Sequence, residues 1–530
     1  MSLDDLQAEY LRESPEESIT RLSQLTVVEY ERIRAEEAKR MGVRVTKLDN
    51  LVTHESHSFN HDCFLENLSE KSLDSHVATA LIDLLEPFLG YDKISNRWHQ
   101  QEQHLWKEIT ETDALITISN ALKERLTDGF STRKLNNIEV LLRLNLTIHK
   151  WETNKHLLPL QNGVLDTTTN VLSEYSSHGK FNWQLPYELD PNAVIDIIDQ
   201  WLKQATGHDK DKINIIRAFF KIVVTGSELQ KFLEVVGKGG TAKSTLVRLL
   251  ISLIGESNTV SSDLEKLENN GFETAMLYGK KLVIISDSSR YGREVSVLKA
   301  ITGGDPIRLE KKHRQQQNSF IFGGAVIIAS NEPIQSSDYT SGLGRRRLPL
   351  KFDSKITDED IKKWESIGGI ESQMKKELPG LLNWVLSMPD SEVNKAIKSI
   401  ESGLSKDERE HFCKTNKVAE WMDERLILLK KFKIFNGSST DKLDPAKADR
   451  LINERLYPNY EDWCVRNKIK TLSVQRFVTT VEDICEHMKL PVKKMPRSNQ
   501  GVSFSGLCIR REVDPDPTII TLQNLTQSDE

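Results

Sequence analysis

The sequence predicts an α/β fold with a smaller domain on each side, and three observations carry that prediction. Three compact apolar runs, KFLEVVG (231–237), KKLVIIS (280–286) and GGAVIIAS (323–330), have the length and near-continuous hydrophobicity of strands buried on both faces of a helix-covered sheet. Glycine loops and helically spaced apolar residues separate them, as in STLVRLLISLIG after the first run. At 530 residues the chain is also too long for one hydrophobic core and should divide into about three domains.

Composition narrows the class. Hydrophobic residues make up 38% and charged residues 28%, and no apolar run approaches the ~20 residues of a membrane span. The opening MSLDDLQAEYLRESPEE is acidic and polar, unlike a signal peptide, so a cytoplasmic protein without a membrane partner is expected. Five scattered cysteines (Cys63, Cys413, Cys464, Cys485, Cys508) form no C-x-x-C pair and predict neither a disulfide framework nor a cysteine-rich zinc module. A net charge of −6 excludes a uniformly basic nucleic-acid coat but allows local basic patches.

Residues 1–75 read as a helical arm or linker, because VVEYERIRAEEAKRMGV (27–43) has the charge alternation of an exposed helix. Within it, His54, His57, His61 and Cys63 offer four zinc-ligand types in ten residues, but their spacing matches no common site and the segment reads as a polar loop. Residues 76–200 read as an α+β entry domain. HVATALIDLLEPFL is helical, Trp98 and Trp106 flank a polar turn as in a hairpin, and QNGVLDTTTNVL (161–172) is a second hairpin with Asn162-Gly163 as its turn signal. Residues 201–400 hold the α/β core, 401–515 a charged, helical domain ending in the strand-like VSFSGLCIRREV, and 516–530 an acidic tail.

The stretch GKGGTAKST (237–245) sits where a buried strand enters and a helix leaves, the setting of a phosphate-binding loop. Gly237, Lys238, Gly239, Gly240, Thr241, Ala242, Lys243, Ser244 and Thr245 are therefore the candidate nucleotide-binding residues. Glycines let backbone N–H groups face a phosphate, and in such a loop Lys243 would neutralise the outer phosphates of ATP and the Ser244 hydroxyl would be a Mg2+ ligand. The G-x-x-x-x-G-K-[ST] pattern wants glycine where Ala242 stands, and alanine strains the loop only if its φ is positive. The second run ends in Asp287, a second Mg2+ ligand, and the third ends at Asn331, placed to orient the attacking water or sense the γ-phosphate.

With these three strand ends in order, the chain resembles the superfamily 3 helicases, in particular the helicase part of phage and plasmid primase-helicases related to the poxvirus replicative ATPase. LKAITGGDPIRLEKKHR (298–314) looks like that family's motif leading into a DNA-contacting hairpin, with Lys311, Lys312, His313 and Arg314 at the tip. GRRRLPLKF (344–352) resembles its arginine-finger segment, which makes Arg345 and Arg346 equal candidates for catalytic residues acting in trans. The segment after NKVAEWMDERLIL resembles a winged-helix module, with Lys468, Lys470, Arg476, Lys493, Lys494 and Arg497 as a phosphate-facing surface or an ordinary solvated face, and Trp463 and Phe477 as core. The resemblance implies an AAA+-like P-loop core, ATP and Mg2+ as cofactors, single-stranded or forked DNA as partner, and a homo-oligomer, a hexameric ring, that unwinds DNA. A separately encoded primase stays open. The chain departs from the family at Ala242 and at Ser288-Ser289, where acidic pairs are more common. Those departures keep a rival in play: an ATP-binding replication initiator or defence ATPase that assembles on DNA without processive unwinding. A structural protein with a decayed ATPase fold is a third reading, opposed by the intact Lys243, Ser244, Asp287, Asn331 and Arg345 set.

Overall fold

In the computed structural model the described residues are 18–19, 21–22, 27–45, 48 and 68–520, apart from 127, 150, 176–177, 287–290, 292–293, 311–317, 335–340, 345, 402–405, 441–442 and 512–518. The chain forms two compact units, 1–149 and 150–530. No helix among the described residues is long and apolar enough to cross a membrane.

In the first unit, α1 (Val27–Arg40) is the predicted charged helix, but one of its acids is inside. Glu37 is buried and accepts from Arg21 Nη2 at 3.0 Å and Arg40 Nε at 2.9 Å. Farther on, α2 (Asp74–Leu85), α3 (Glu111–Arg125) and α4 (Thr132–Asn145) share a core with the antiparallel meander β1 (Leu89–Asp92), β2 (Arg97–Glu102) and β3 (Leu105–Ile109). The tryptophan hairpin is present: Trp98 pairs with Ile109 and Gln101 with Trp106 across β2 and β3. Trp98 is buried and donates its indole N–H to Glu139 Oε1 at 2.9 Å, which satisfies a polar atom the core would otherwise strand. A Thr110/Asp113 capping box starts α3 and the Ser131 hydroxyl starts α4.

The second unit opens with another meander, β4 (Leu157–Leu160), β5 (Gly163–Asp166) and β6 (Val171–Ser173). Here QNGVLDTTTNVL holds more than one turn. Leu160 pairs with Gly163, so Gln161-Asn162 closes β4 onto β5, and Thr167–Asn170 turns β5 onto β6. Gly163 follows the first turn, at φ +146, because a Cβ there would lie 2.6 Å from the Ser173 carbonyl.

Helices α5 (Ile197–Thr206) and α6 (Lys210–Thr225) lead into the central sheet. Its strands are β7 (Phe232–Gly237), β8 (Thr259–Ser262), β9 (Leu282–Ser286), β12 (Ala325–Ser330) and β13 (Arg347–Phe352), all parallel, in the order β13-β7-β12-β9-β8. Alternate residues serve opposite faces. Leu233, Ile284, Ile327 and Leu348 pack in one core, while Phe232, Val283, Val326 and Ile328 pack in the other. Burial on both faces explains why these strands read as apolar runs rather than alternating ones. Between β8 and β9 lies α7 (Leu264–Asn269), and between β9 and β12 the chain forms α8 (Ser296–Gly303) and the antiparallel pair β10 (Pro306–Leu309) and β11 (Asn318–Ile321).

Toward the carboxy end of this unit, α9 (Lys417–Arg425), α10 (Leu456–Arg466) and α11 (Val474–His487) pack with the antiparallel sheet β14-β16-β15, formed by β14 (Leu426–Phe435), β15 (Lys493–Ser498) and β16 (Gly501–Ile509). Trp463 and Phe477 are buried there as expected, with Phe477 stacked on Tyr460 at 4.6 Å.

Candidate functional site

The C-terminal edge of the parallel sheet gathers the glycine loop and the end of β12. β7 ends at Gly237, and residues 238–242 carry the chain into α12 (Lys243–Ile254), whose buried Leu246, Leu249, Leu250 and Leu253 fasten it to the sheet. A Cβ on Gly237 would collide with the Phe352 carbonyl, so only glycine lets β7 pass β13 here. Nothing lies within 4 Å of where a side chain would begin at Gly239 or Gly240, which leaves the crest open. Thr241 is buried, and its hydroxyl donates to Lys238 O at 2.8 Å.

Ala242 has φ 63 and ψ 12 and stands at the N-cap position of α12, where no side chain caps the helix. This is the left-handed conformation in which alanine departs unfavourably from glycine, by roughly 1–2 kcal/mol. The loop therefore keeps the backbone path of a glycine at this position with a side chain that opposes it.

The Lys243 ammonium donates to Gly237 O at 2.5 Å, Lys238 O at 2.9 Å and Asn331 Oδ1 at 3.1 Å. Two sequence-predicted residues 88 positions apart thus meet. The register explains it, because Ser330 pairs with Val236 and so Asn331 follows β12 at the level of Gly237. Ser244 is exposed in the first turn of α12, and Thr245 is half-buried. On the other side of β12, Ser286 pairs with Ala329. Asp287, next in the chain, lies outside the described residues, as do Lys311, Lys312, His313, Arg314 and Arg345.

One feature beneath this edge was not anticipated from sequence. Glu234, in the middle of β7, is fully buried and accepts from Ile334 N at 2.8 Å, while Arg347 Nε lies 3.2 Å from its other oxygen and Arg347 Nη2 donates to Ile334 O at 2.8 Å. Burial pushes the Glu234 carboxyl up, and the Arg347 guanidinium opposes that. The network holds the backbone three residues beyond Asn331 to β7 and β13. Its signal in the sequence is a lone glutamate inside the apolar run KFLEVVG.

Arg346 sits at the opposite edge. Arg347 pairs with Phe232 and Phe352 with Gly237, so the arginine segment is separated from the glycine loop of its own chain by five residues of strand, about 16 Å. A Cβ on Gly303 would stand 3.1 Å from Arg346 Nη2 and 3.2 Å from Asp305 Oδ2, which puts this guanidinium against the Gly303–Asp305 turn. That turn leads into β10, and β10 and β11 pair on either side of 311–314 as the resemblance implies for a hairpin, with Leu309 opposite Asn318 and buried Ile307 opposite Phe320.

Lys468, Lys470, Arg476, Lys493, Lys494 and Arg497 are all exposed, and Lys494 pairs with Glu482 at 2.6 Å. Sequence reasoning missed Lys430, Lys431 and Lys433 on β14, also exposed. Lys433 and Lys493 both pair with Ser505 of β16, so the three residues align across the sheet. Register is shifted between Leu428 and Lys433, with Lys431 at φ 65.

Two segments match known families. Residues 78–207 match the family described as D5 N terminal like, and residues 235–347 match a family of unknown function, DUF5906. The chain is 26% identical over 136 residues to the uncharacterized mitochondrial protein ymf20 of Marchantia polymorpha, across 26% of this chain and 81% of that protein. It is 26% identical over 160 residues to the initiator protein NS1 of Aleutian mink disease parvovirus (strain G), across 27% of this chain and 26% of that protein. Among solved structures, the apo C-terminal region of NrS-1 aligns with 11% identity and a TM-score of 0.42, across 80% of this chain and 96% of that one. The parvovirus match is thus to a protein named as an initiator, and this chain spans about a quarter of its length.

Proposed function

We propose that the chain is an ATP-dependent DNA helicase of a mobile genetic element (a phage, plasmid or integrated island), with an AAA+-like P-loop core and a winged-helix domain at 401–515. The observation that carries this reading is the Lys243 ammonium bridging the glycine loop and Asn331 at one sheet edge. Parallel sheets bind ligands beyond the carboxyl ends of their strands, and this edge offers an open backbone crest, a lysine and the N-terminus of α12. The residues fit ATP: Gly239 and Gly240 leave room for close approach to their backbone, and the exposed Ser244 hydroxyl with Asp287 would hold Mg2+. Mg2+ would supply charge neutralisation on the outer phosphates. Lys243 would exchange its loop carbonyls for phosphate oxygens, leaving Asn331 to orient water.

The 16 Å offset of the arginine segment supports a shared site, since an arginine at the far edge reaches a nucleotide most directly when it belongs to the neighbouring subunit of a homo-oligomer, a hexamer in this reading. The β10–β11 tip would then grip single-stranded or forked DNA. Lys243→Ala tests the nucleotide assignment. ATP turnover should fall by several orders of magnitude, and wild-type turnover in that variant would end the reading.

The left-handed Ala242 favours one alternative, a nucleotide-binding initiator or defence ATPase that assembles on DNA without processive unwinding. A strained loop suits slow cycling. Measuring strand separation on a fork beside ATP-dependent DNA binding separates the two, because the switch binds and does not unwind.

A further inference from the structure

The edge of the central sheet opposite the glycine loop carries a cleft of about 270 Å³ that ATP chemistry does not use. Lys281, immediately before β9, lines it and holds its ammonium over the Trp183 ring, 4.0 Å from the ring centre. Among the described residues no carboxylate pairs with this lysine, and burial pushes its ammonium down to about 8. A cation desolvated without a counter-ion is unfavourable until an anion arrives. The other charges nearby have partners. Lys155 pairs with Glu228 at 2.9 Å, Lys280 donates to Ser257 O at 2.6 Å, and Glu152 accepts from Asn154 N at 2.8 Å.

The remaining wall has rings and amides. Half-buried Trp151 and Tyr278 line the cleft together with Asn154 and Asn182. Past Lys155 and Ile321–Gly323 the cleft adjoins a second hollow of about 380 Å³, so the two form one groove along the strand that leaves the β10–β11 hairpin. An unpaired lysine beside aromatic rings, with amide donors and acceptors in reach, is the chemistry that holds a phosphate and an unpaired base. A duplex is too wide for hollows of this volume.

We propose that this groove binds a single strand of DNA at the base of the hairpin, with a backbone phosphate on Lys281 and a base against Trp151 or Tyr278. The inference rests on the reading of the chain as a DNA-acting protein and is independent of ATP hydrolysis. The test therefore omits nucleotide: the full-length protein is irradiated with oligo(dT) carrying 5-iododeoxyuridine, and the adducts are mapped by peptide mass. Adducts on the Trp151 or Tyr278 peptides are expected, reduced about tenfold by Lys281→Met and retained by Lys281→Arg. Lys281→Met removes a desolvated charge, so its melting temperature should equal or exceed the parent's, and Trp151→Ala gives a second variant should it not. No adduct in the groove of the wild-type protein, or an adduct undiminished in both Lys281→Met and Trp151→Ala, overturns the proposal. Lys243→Ala should keep the groove adduct while losing ATPase activity, because the groove lies at the edge of the sheet opposite the glycine loop.

Discussion

The two edges of the central sheet both carry groups of the kind that attract anions, by different means. At the C-terminal edge the attraction comes from backbone: an open glycine crest, the start of α12 and a lysine already hydrogen-bonded to loop carbonyls. At the N-terminal edge it comes from side chains, Arg346 against the Gly303–Asp305 turn and Lys281 over Trp183. Parallel strands impose this asymmetry, because all their carboxyl ends, and the helix that follows β7, open on one side. A backbone site can be recognised from a short motif; a side-chain site requires partners from distant parts of the chain.

The largest expected effect breaks the backbone edge. Lys243→Ala should lower ATP turnover at least a thousandfold, measured as phosphate release at saturating ATP, since no other loop cation reaches the outer phosphates. Joining the two edges comes next. Mixtures of Arg345→Ala and Lys243→Ala protomers, each inactive alone, should recover part of the activity if one edge of a subunit completes its neighbour's site, and mixtures that assemble yet stay inactive count against it. Repeating the mixture with Arg346→Ala sharpens the choice: Arg346 is engaged with its own chain at Gly303, so Arg345 should be the residue that complements.

A smaller effect concerns the hairpin. Lys311→Ala with Lys312→Ala should weaken DNA binding and flatten its salt dependence, read as the slope of log affinity against log salt, because fewer counterions are released. DNA-stimulated ATPase should be lost with it.

Lys281 gives a pH test of the side-chain edge. Desolvation pushes its ammonium down to about 8 in the folded chain, from the ordinary lysine value of about 10.4 expected when unfolded. Between those values the unfolded chain binds more protons, so stability rises with pH there; below about 8 both states are charged and the full penalty of the desolvated cation is present. Melting temperatures of the parent and Lys281→Met should therefore converge as pH rises from about 8 toward about 10.4. A gap that stays constant removes the desolvated cation from the account. The smallest effect is Ala242→Gly, which relieves a left-handed alanine but adds glycine entropy to the unfolded chain. A net stabilisation of about 1 kcal/mol or less is expected, with nucleotide affinity changed less than about tenfold. A larger gain in affinity would identify Ala242 as a brake on the site.

Local pattern alone was enough to locate the three apolar strands, the glycine loop between a strand and a helix, and the tryptophan hairpin. Each is encoded within a few residues by hydrophobic run length, glycine spacing or alternation. Placement of the turn in QNGVLDTTTNVL missed because a three-stranded meander needs two turns, and only the cross-strand register separates them. The sign of φ at Ala242 was likewise undecided by sequence, since alanine accepts either conformation and the fastening of β7 and α12 selects the costlier one. Lys243 with Asn331, Glu234 with Arg347 and Lys281 with Trp183 are contacts between residues far apart in the chain. Strand order and register bring them together, and no local periodicity encodes which strand lies beside which. The sequence by itself determined the apolar strands and the glycine loop between a strand and a helix; the tertiary structure decided which side chains stand at each edge of the sheet, because a parallel sheet sorts its loops by strand direction and its neighbours by topology.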